Sequence, residues 1–263
     1  EKLVHHTKSG YLYPAEDKDV PKGSYYLPIQ LSGRSTQDLY IRIEEKIHRD
    51  PEFDLKLYDG KQWVEKILDK HILDFIFQGV FWIILIYNFF MYATSKITTY
   101  LYYSVYIFCV SVTYLFLTDV LREYMLKSMP LWTIYFIPST LLVLASYWLF
   151  LRKFLSARNH FILYDRGMRA LIAVNVALFL GSEIYISVTQ DIYLPSDLSR
   201  LAVFINSLLV FGLMYRIKDS NNEMIKYFIA GTSSLMIFAL VDAVMWDPSY
   251  SQGVLVKYGL LAE

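Results

Sequence analysis

Arg152-Lys-Phe-Leu-Ser-Ala-Arg-Asn-His-Phe-Ile-Leu-Tyr-Asp-Arg-Gly-Met-Arg169 is the stretch that sets the topology. It carries Arg152, Lys153, Arg158, Arg166 and Arg169 against a single acid, Asp165. It lies between two long apolar runs, residues 131–151 and 170–190. Lys and Arg near the ends of membrane spans mark the cytoplasmic side, because positive loops resist translocation. With this loop inside, alternation assigns a side to every other loop and puts the amino-terminal region outside.

Six apolar runs reach the ~20 residues that a helix needs to cross a bilayer. They cover residues 72–93, 100–118, 131–151, 170–190, 198–217 and 227–246. A seventh starts near Gly253 and has covered about half a span at Glu263. Further chain beyond Glu263 is therefore expected, on the cytoplasmic side. Nine basic residues fall in the inner loops: Lys96, the five above, Arg216, Lys218 and Lys226. Three fall in the outer loops, Arg122, Lys127 and Arg200. The asymmetry agrees with the orientation set by the central loop.

The chain has 263 residues, 55% of them hydrophobic, and a formal net charge of zero. That is too apolar for an ordinary soluble domain, and balanced charge gives no reason to expect nucleic acid as a partner. Residues 1–71 nevertheless hold 12 of the 25 Lys and Arg and 13 of the 25 Asp and Glu. The first quarter thus reads as a soluble segment. No apolar signal segment is visible at its start, so an outside location implies a start that has been processed or cut away. The one cysteine, Cys109, permits no disulfide within the chain.

The soluble quarter alternates apolar and polar residues with period two. Leu27, Ile29 and Leu31, then Leu39, Ile41 and Ile43, then Phe53, Leu55 and Leu57 each define one apolar face. Three or four strands make a marginal core, so residues 1–60 are expected to be the end of a larger β-sandwich. After the Asp59-Gly60 turn signal the period becomes helical at Trp63, Ile67 and Leu68. Residues 61–71 are expected to form a connecting helix and residues 72–263 a seven-helix membrane domain. The fold class is therefore a mainly α membrane protein: a seven-transmembrane bundle, its last helix truncated, behind a partial extracellular β-sandwich.

Ionisable residues inside spans are costly and are functional candidates by default. Glu183 lies in the outer third of span four, with Ser187 and Gln190 on nearly the same face. Asp242 sits near the outer end of span six and Lys257 near that of span seven. At ~1.5 Å per residue all three lie roughly 6–11 Å below the outer surface. They are expected to line one ligand pocket open to the outside; the competing reading is a structural ion pair or snorkelling edge residues. Asn88, Asn175 and Asn206 lie within spans, where hydrogen bonding between helices is the ordinary role. Aromatics crowd the span ends (Tyr100, Tyr102, Tyr103, Trp132, Tyr135, Tyr147, Trp148 and Trp246), as interfacial anchors do. Ala173, Ala177 and Gly181 recur every four residues, which favours close helix packing.

There is no HExxH, P-loop, GxSxG or CxxC motif, and nothing points to catalysis, a metal or a cofactor. His5-His6 would point to opposite faces of a strand. A secondary transporter using the intramembrane carboxylates for ion coupling is the alternative class, set against by the odd span count and the attached outer β-domain.

Several short motifs resemble a known family. They are Ser-Gly-Tyr-Leu-Tyr-Pro at residues 9–14, Tyr-Tyr-Leu-Pro-Ile-Gln-Leu at 25–31 and Leu-Tyr-Ile-Arg-Ile-Glu at 39–44. With them go Gly79 and Leu-Ile-Tyr-Asn-Phe-Phe at 85–90, Tyr-Leu-Tyr-Tyr at 100–103 and Phe154-Leu155. The pattern resembles the bacterial seven-transmembrane receptors with diverse intracellular signalling modules (7TMR-DISM). The resemblance implies that the first motifs close an extracellular β-jelly-roll that binds a small ligand such as a carbohydrate. It implies seven spans in the bacterial inner membrane and a cytoplasmic output in the same chain, of histidine kinase or cyclic-nucleotide enzyme type. Such an output would favour a homodimer. The family supplies no catalytic residues to carry over.

Overall fold

A computed structural model describes residues 9–10, 13–18, 27–29, 40–42, 56–155 and 162–217. The expected strands fall largely outside the described residues, as do spans six and seven with Asp242 and Lys257. Among the described residues there is no strand, and the architecture is helical.

Helix α1, Gly60–Ser95, is a single element of 36 residues. Asp59 caps it: the backbone is extended there and the side chain accepts from the Lys61 N–H at 2.9 Å. The connecting helix and the first span are thus one continuous rod. It stops at Lys96, which turns left-handed (φ 58°) and returns its N–H to the Tyr92 carbonyl at 2.9 Å. Helix α2, Thr98–Leu117, follows after two residues and runs back antiparallel.

The connection from α2 to the third span is ordered. A π-helical turn at Leu121–Met125 precedes a 3-10 helix at Pro130–Phe136. Helix α3 then spans Ser139–Phe154. The third apolar run is therefore broken where an unbroken helix was expected. Pro138 is the reason: it has no N–H to donate and its ring clashes with a helical turn before it.

Helix α4, Ile162–Thr189, starts eight residues before the expected span, so Arg166 and Arg169 sit on its first turns rather than in a loop. Helix α5, Tyr193–Ile217, begins after a three-residue turn in which Asp191 accepts from the Tyr193 N–H at 2.9 Å. Among the described residues five segments have the length and apolarity of membrane spans: Asp74–Ser95, Thr98–Leu117, Pro130–Phe154, Tyr164–Thr189 and Tyr193–Arg216.

The third span is the most enclosed of the five and lies at the centre, touching α2, α4 and α5. Its face gives Tyr147, Trp148 and Leu151 to a core shared with Tyr106 and Val110 of α2, Met168 of α4 and Val210 of α5. Tyr147 and Trp148 are each 2% exposed. They are core residues, which corrects their reading as interfacial anchors; Trp132 and Tyr135 are exposed and fit that role. Ala173, Ala177 and Gly181 are likewise exposed among the described residues, not pressed against a described helix.

Candidate functional site

Among the described residues, three polar junctions cross the helix interfaces at different depths. The first joins α1 to α2. Asp74 and Gln78, one turn apart on α1, face Tyr114 and Ser111 on α2. The Tyr114 hydroxyl donates to Asp74 Oδ1 at 2.9 Å, and Gln78 Nε2 donates to Ser111 Oγ at 2.5 Å. Asp74 is 1% exposed. The Tyr114 ring packs edge-on against Phe81 and Phe77, with centroids 5.4 and 6.3 Å away. This carboxylate stands two residues inside the first apolar run. An acid followed by Gln one turn later, inside a span, is the signal that would have found the junction.

The second junction lies mid-span and joins three helices. Trp148 Nε1 of α3 donates to Asn206 Oδ1 of α5 at 2.6 Å, and Asn175 Nδ2 of α4 donates to the same oxygen at 3.2 Å. Asn206 Nδ2 donates to its own helix at the Ala202 carbonyl, 2.7 Å away. Asn175 and Asn206 therefore do bridge helices. Asn88 does not: its Nδ2 donates to the Ile84 carbonyl of α1 at 2.9 Å.

The third junction closes the end where α3 meets α4. Asp165, with a side chain 4% exposed, takes the Nε–H of Arg152 and lies 2.8 Å from Arg169 Nη2. The single acid of the basic stretch is thus the group that holds two of its cations. At the opposite end Lys18 lies within electrostatic reach of Arg122 and Glu123. Burial, then the Arg122 guanidinium, lowers the Lys18 ammonium below the ordinary lysine range, while Glu123 works the other way. Residues 13–18 therefore sit at the Arg122 end of the bundle, where α1 also starts.

Glu183 is half-buried on α4. Among the described residues no side chain pairs with its carboxylate, and its main-chain carbonyl accepts from Ser187 Oγ at 2.7 Å. Its expected companions Asp242 and Lys257 lie outside the described residues. No group of three metal-binding side chains occurs among the described residues. The arrangement is one of helix junctions, fixed by polar contacts in an apolar surround.

A family model described as 7TM diverse intracellular signalling matches residues 70–263. The chain belongs to the 7TM diverse intracellular signalling family. It is a multi-pass membrane protein and a membrane signalling receptor of that family, as the apolar helices and the match together require. No curated protein and no solved structure matches the chain. The family's seven-span region takes in all three polar junctions, and residues 13–18 fall before it.

Proposed function

We propose that this receptor senses a small ligand, such as a carbohydrate, on the amino-terminal side of a bacterial inner membrane. It relays the event through its helices to a cytoplasmic output module in the same chain, of histidine kinase or cyclic-nucleotide enzyme type. The seven-span region is not itself an enzyme in this reading. The orientation rests on the nine inner and three outer basic residues.

The observation that carries the proposal is the continuity of α1. One helix runs from the Asp59 cap, ahead of the apolar run, to Lys96 at the far side of the bundle. Movement of the outer segment therefore enters the membrane through one unbroken helix. Asp74 and Gln78 pass that movement to α2, and the tightly packed third span passes it on. A ligand shifts such a bundle only by binding one arrangement better than another. Glu183, and Asp242 and Lys257 with it, are the groups proposed to meet ligand near the outer surface.

The test uses the protein in lipid nanodiscs, heated with glucose, N-acetylglucosamine and their β-linked disaccharides. A sugar that raises the unfolding midpoint of the parent, and raises it less for Glu183→Gln, supports the reading. No stabilisation by any sugar, with solute counterflow in vesicles, would replace it with transport.

A further inference from the structure

We infer that the open side of α4, beside the Arg152–Asp165–Arg169 junction, binds an anionic phospholipid, with its phosphate on Arg166 and Arg169. The inference needs the chain to cross a bilayer, but it does not depend on sugar sensing or on the type of output.

Charge at this end is out of balance. Arg152 and Lys153 end α3, Arg166 and Arg169 begin α4, and the acid among them is Asp165. Asp165 is buried in the seam between the two helices and is matched there by Arg152 and Arg169. Arg169 gives it Nη2 at 2.8 Å and keeps 58% of its side chain open. Lys153 and Arg166 are exposed, and among the described residues neither is in an ion pair. Asp165 thus holds one guanidinium in place while leaving an excess of positive charge on the open side.

Spacing gives that charge a shape. Arg166, Arg169, Ala173, Val176 and Leu180 follow one another at intervals of three and four residues, so they form one line along α4. All five are exposed. Met168, by contrast, turns into the core with Tyr147 and Val210. The line therefore has two cations at its base and apolar side chains above them.

Depth selects the anion. From Thr189, the end of α4, back to Arg169 is ~30 Å, the thickness of the hydrocarbon layer. Arg169 stands where hydrocarbon meets headgroups, and Arg166 lies almost one turn further out, at the level of the phosphates. Residues three apart on a helix have Cβ atoms ~5–6 Å apart, so both guanidinium forks reach one phosphate. The guest must carry a negative head and an apolar tail. A soluble phosphate or an acidic peptide has no tail to lay along Val176 and Leu180. A zwitterionic lipid brings its own cation against Lys153 and Arg166. Phosphatidylglycerol has the phosphate without that cation, and basic clusters between helices at this depth recognise such headgroups.

The experiment is native mass spectrometry of the protein released from detergent micelles. Phosphatidylglycerol or phosphatidylcholine with the same acyl chains is added, and the affinity of the first bound lipid is measured. Phosphatidylglycerol is expected to bind about thirtyfold tighter, the worth of two arginines at an anionic lipid. Arg166→Gln, which breaks no ion pair among the described residues, should lose about fivefold of this preference. Arg166→Gln with Arg169→Gln should erase it. Lys96→Asn with Arg216→Gln removes the same charge from other exposed positions and should leave it intact. Equal affinity of the parent for the two lipids would overturn the proposal. So would an equal loss in the two double variants, which would mean bulk attraction to a charged protein. Displacement of the lipid by glycerol 3-phosphate would make this a site for soluble phosphate and overturn the lipid assignment.

Discussion

The indole N–H of Trp148 donates to Asn206 Oδ1 at 2.6 Å, 58 residues away in sequence and on a different helix. The same oxygen accepts from Asn175, so one side chain of α5 holds both α3 and α4. All three residues are buried. Asn206→Leu leaves two donors without their shared acceptor, and should destabilise the bundle by about 2 kcal/mol. Trp148→Phe and Asn175→Leu each remove one donor and should cost about half as much through the hydrogen bond. Unfolding in mixed micelles measures this. Equal losses for Asn206→Leu and Asn175→Leu would mean that Asn206 is not the shared point.

Asp165 predicts an unequal response from its two arginines. The Arg152 side chain is 31% exposed and reaches from another helix; Arg169 is 58% exposed and lies one turn away on the same helix. Arg169→Gln should cost under about 0.5 kcal/mol, as exposed pairs one turn apart do. Arg152→Gln should cost about 1–2 kcal/mol, because a charge-assisted bond between helices is lost. The ordering is read from thermal unfolding in detergent, and its reversal would contradict the packing at this end.

Asp74 and Tyr114 should couple. Tyr114→Phe removes the donor, and Asp74→Leu removes the acceptor. If the bond at 2.9 Å matters, the double variant loses less stability than the sum of the single ones, by about 1 kcal/mol. Strict additivity would show that the Asp74–Tyr114 bond adds nothing to the hold of α1 on α2. Asp74→Asn retains an acceptor and should stay closer to the parent than Asp74→Leu.

Lys18 gives the pH dependence of the Arg122 end. Its ammonium is lowered from the ordinary value of 10.5 by burial and by Arg122. A lysine lowered in the folded state binds its proton less tightly there than when unfolded. Stability at this position therefore rises with pH through the folded value and levels off near 10.5. Lys18→Met should stabilise the contact at neutral pH, and the advantage should shrink as the parent lysine loses its proton. Limited proteolysis ahead of α1, followed against pH, reports it. An advantage that grew with pH would mean that Lys18 is held as a cation by Glu123.

Much of the fold was legible because burial in lipid is a one-dimensional constraint. A run of ~20 apolar residues has few alternatives to a helix. Asp59-Gly60 marked the change from period two to helical period, and α1 does start at Gly60. The breaks were less legible. Pro138 interrupts the third run although hydropathy does not fall there, and α4 begins early because Asp165 draws Arg152 and Arg169 into a packed helix start.

The sequence by itself determined that this chain crosses a membrane several times, where the first five spans fall to within a few residues, and which family it resembles. Those properties follow from composition and local spacing. Only the tertiary structure decided which polar residues meet. Asn175 and Asn206 bridge helices while Asn88 bonds to its own, and Trp148 is a core donor rather than an interfacial anchor. Helical spacing fixes a side chain's angle around its own axis, but not which neighbour that angle faces. The neighbour is set by how the rods pack, and the third span at the centre sets that packing for the described helices.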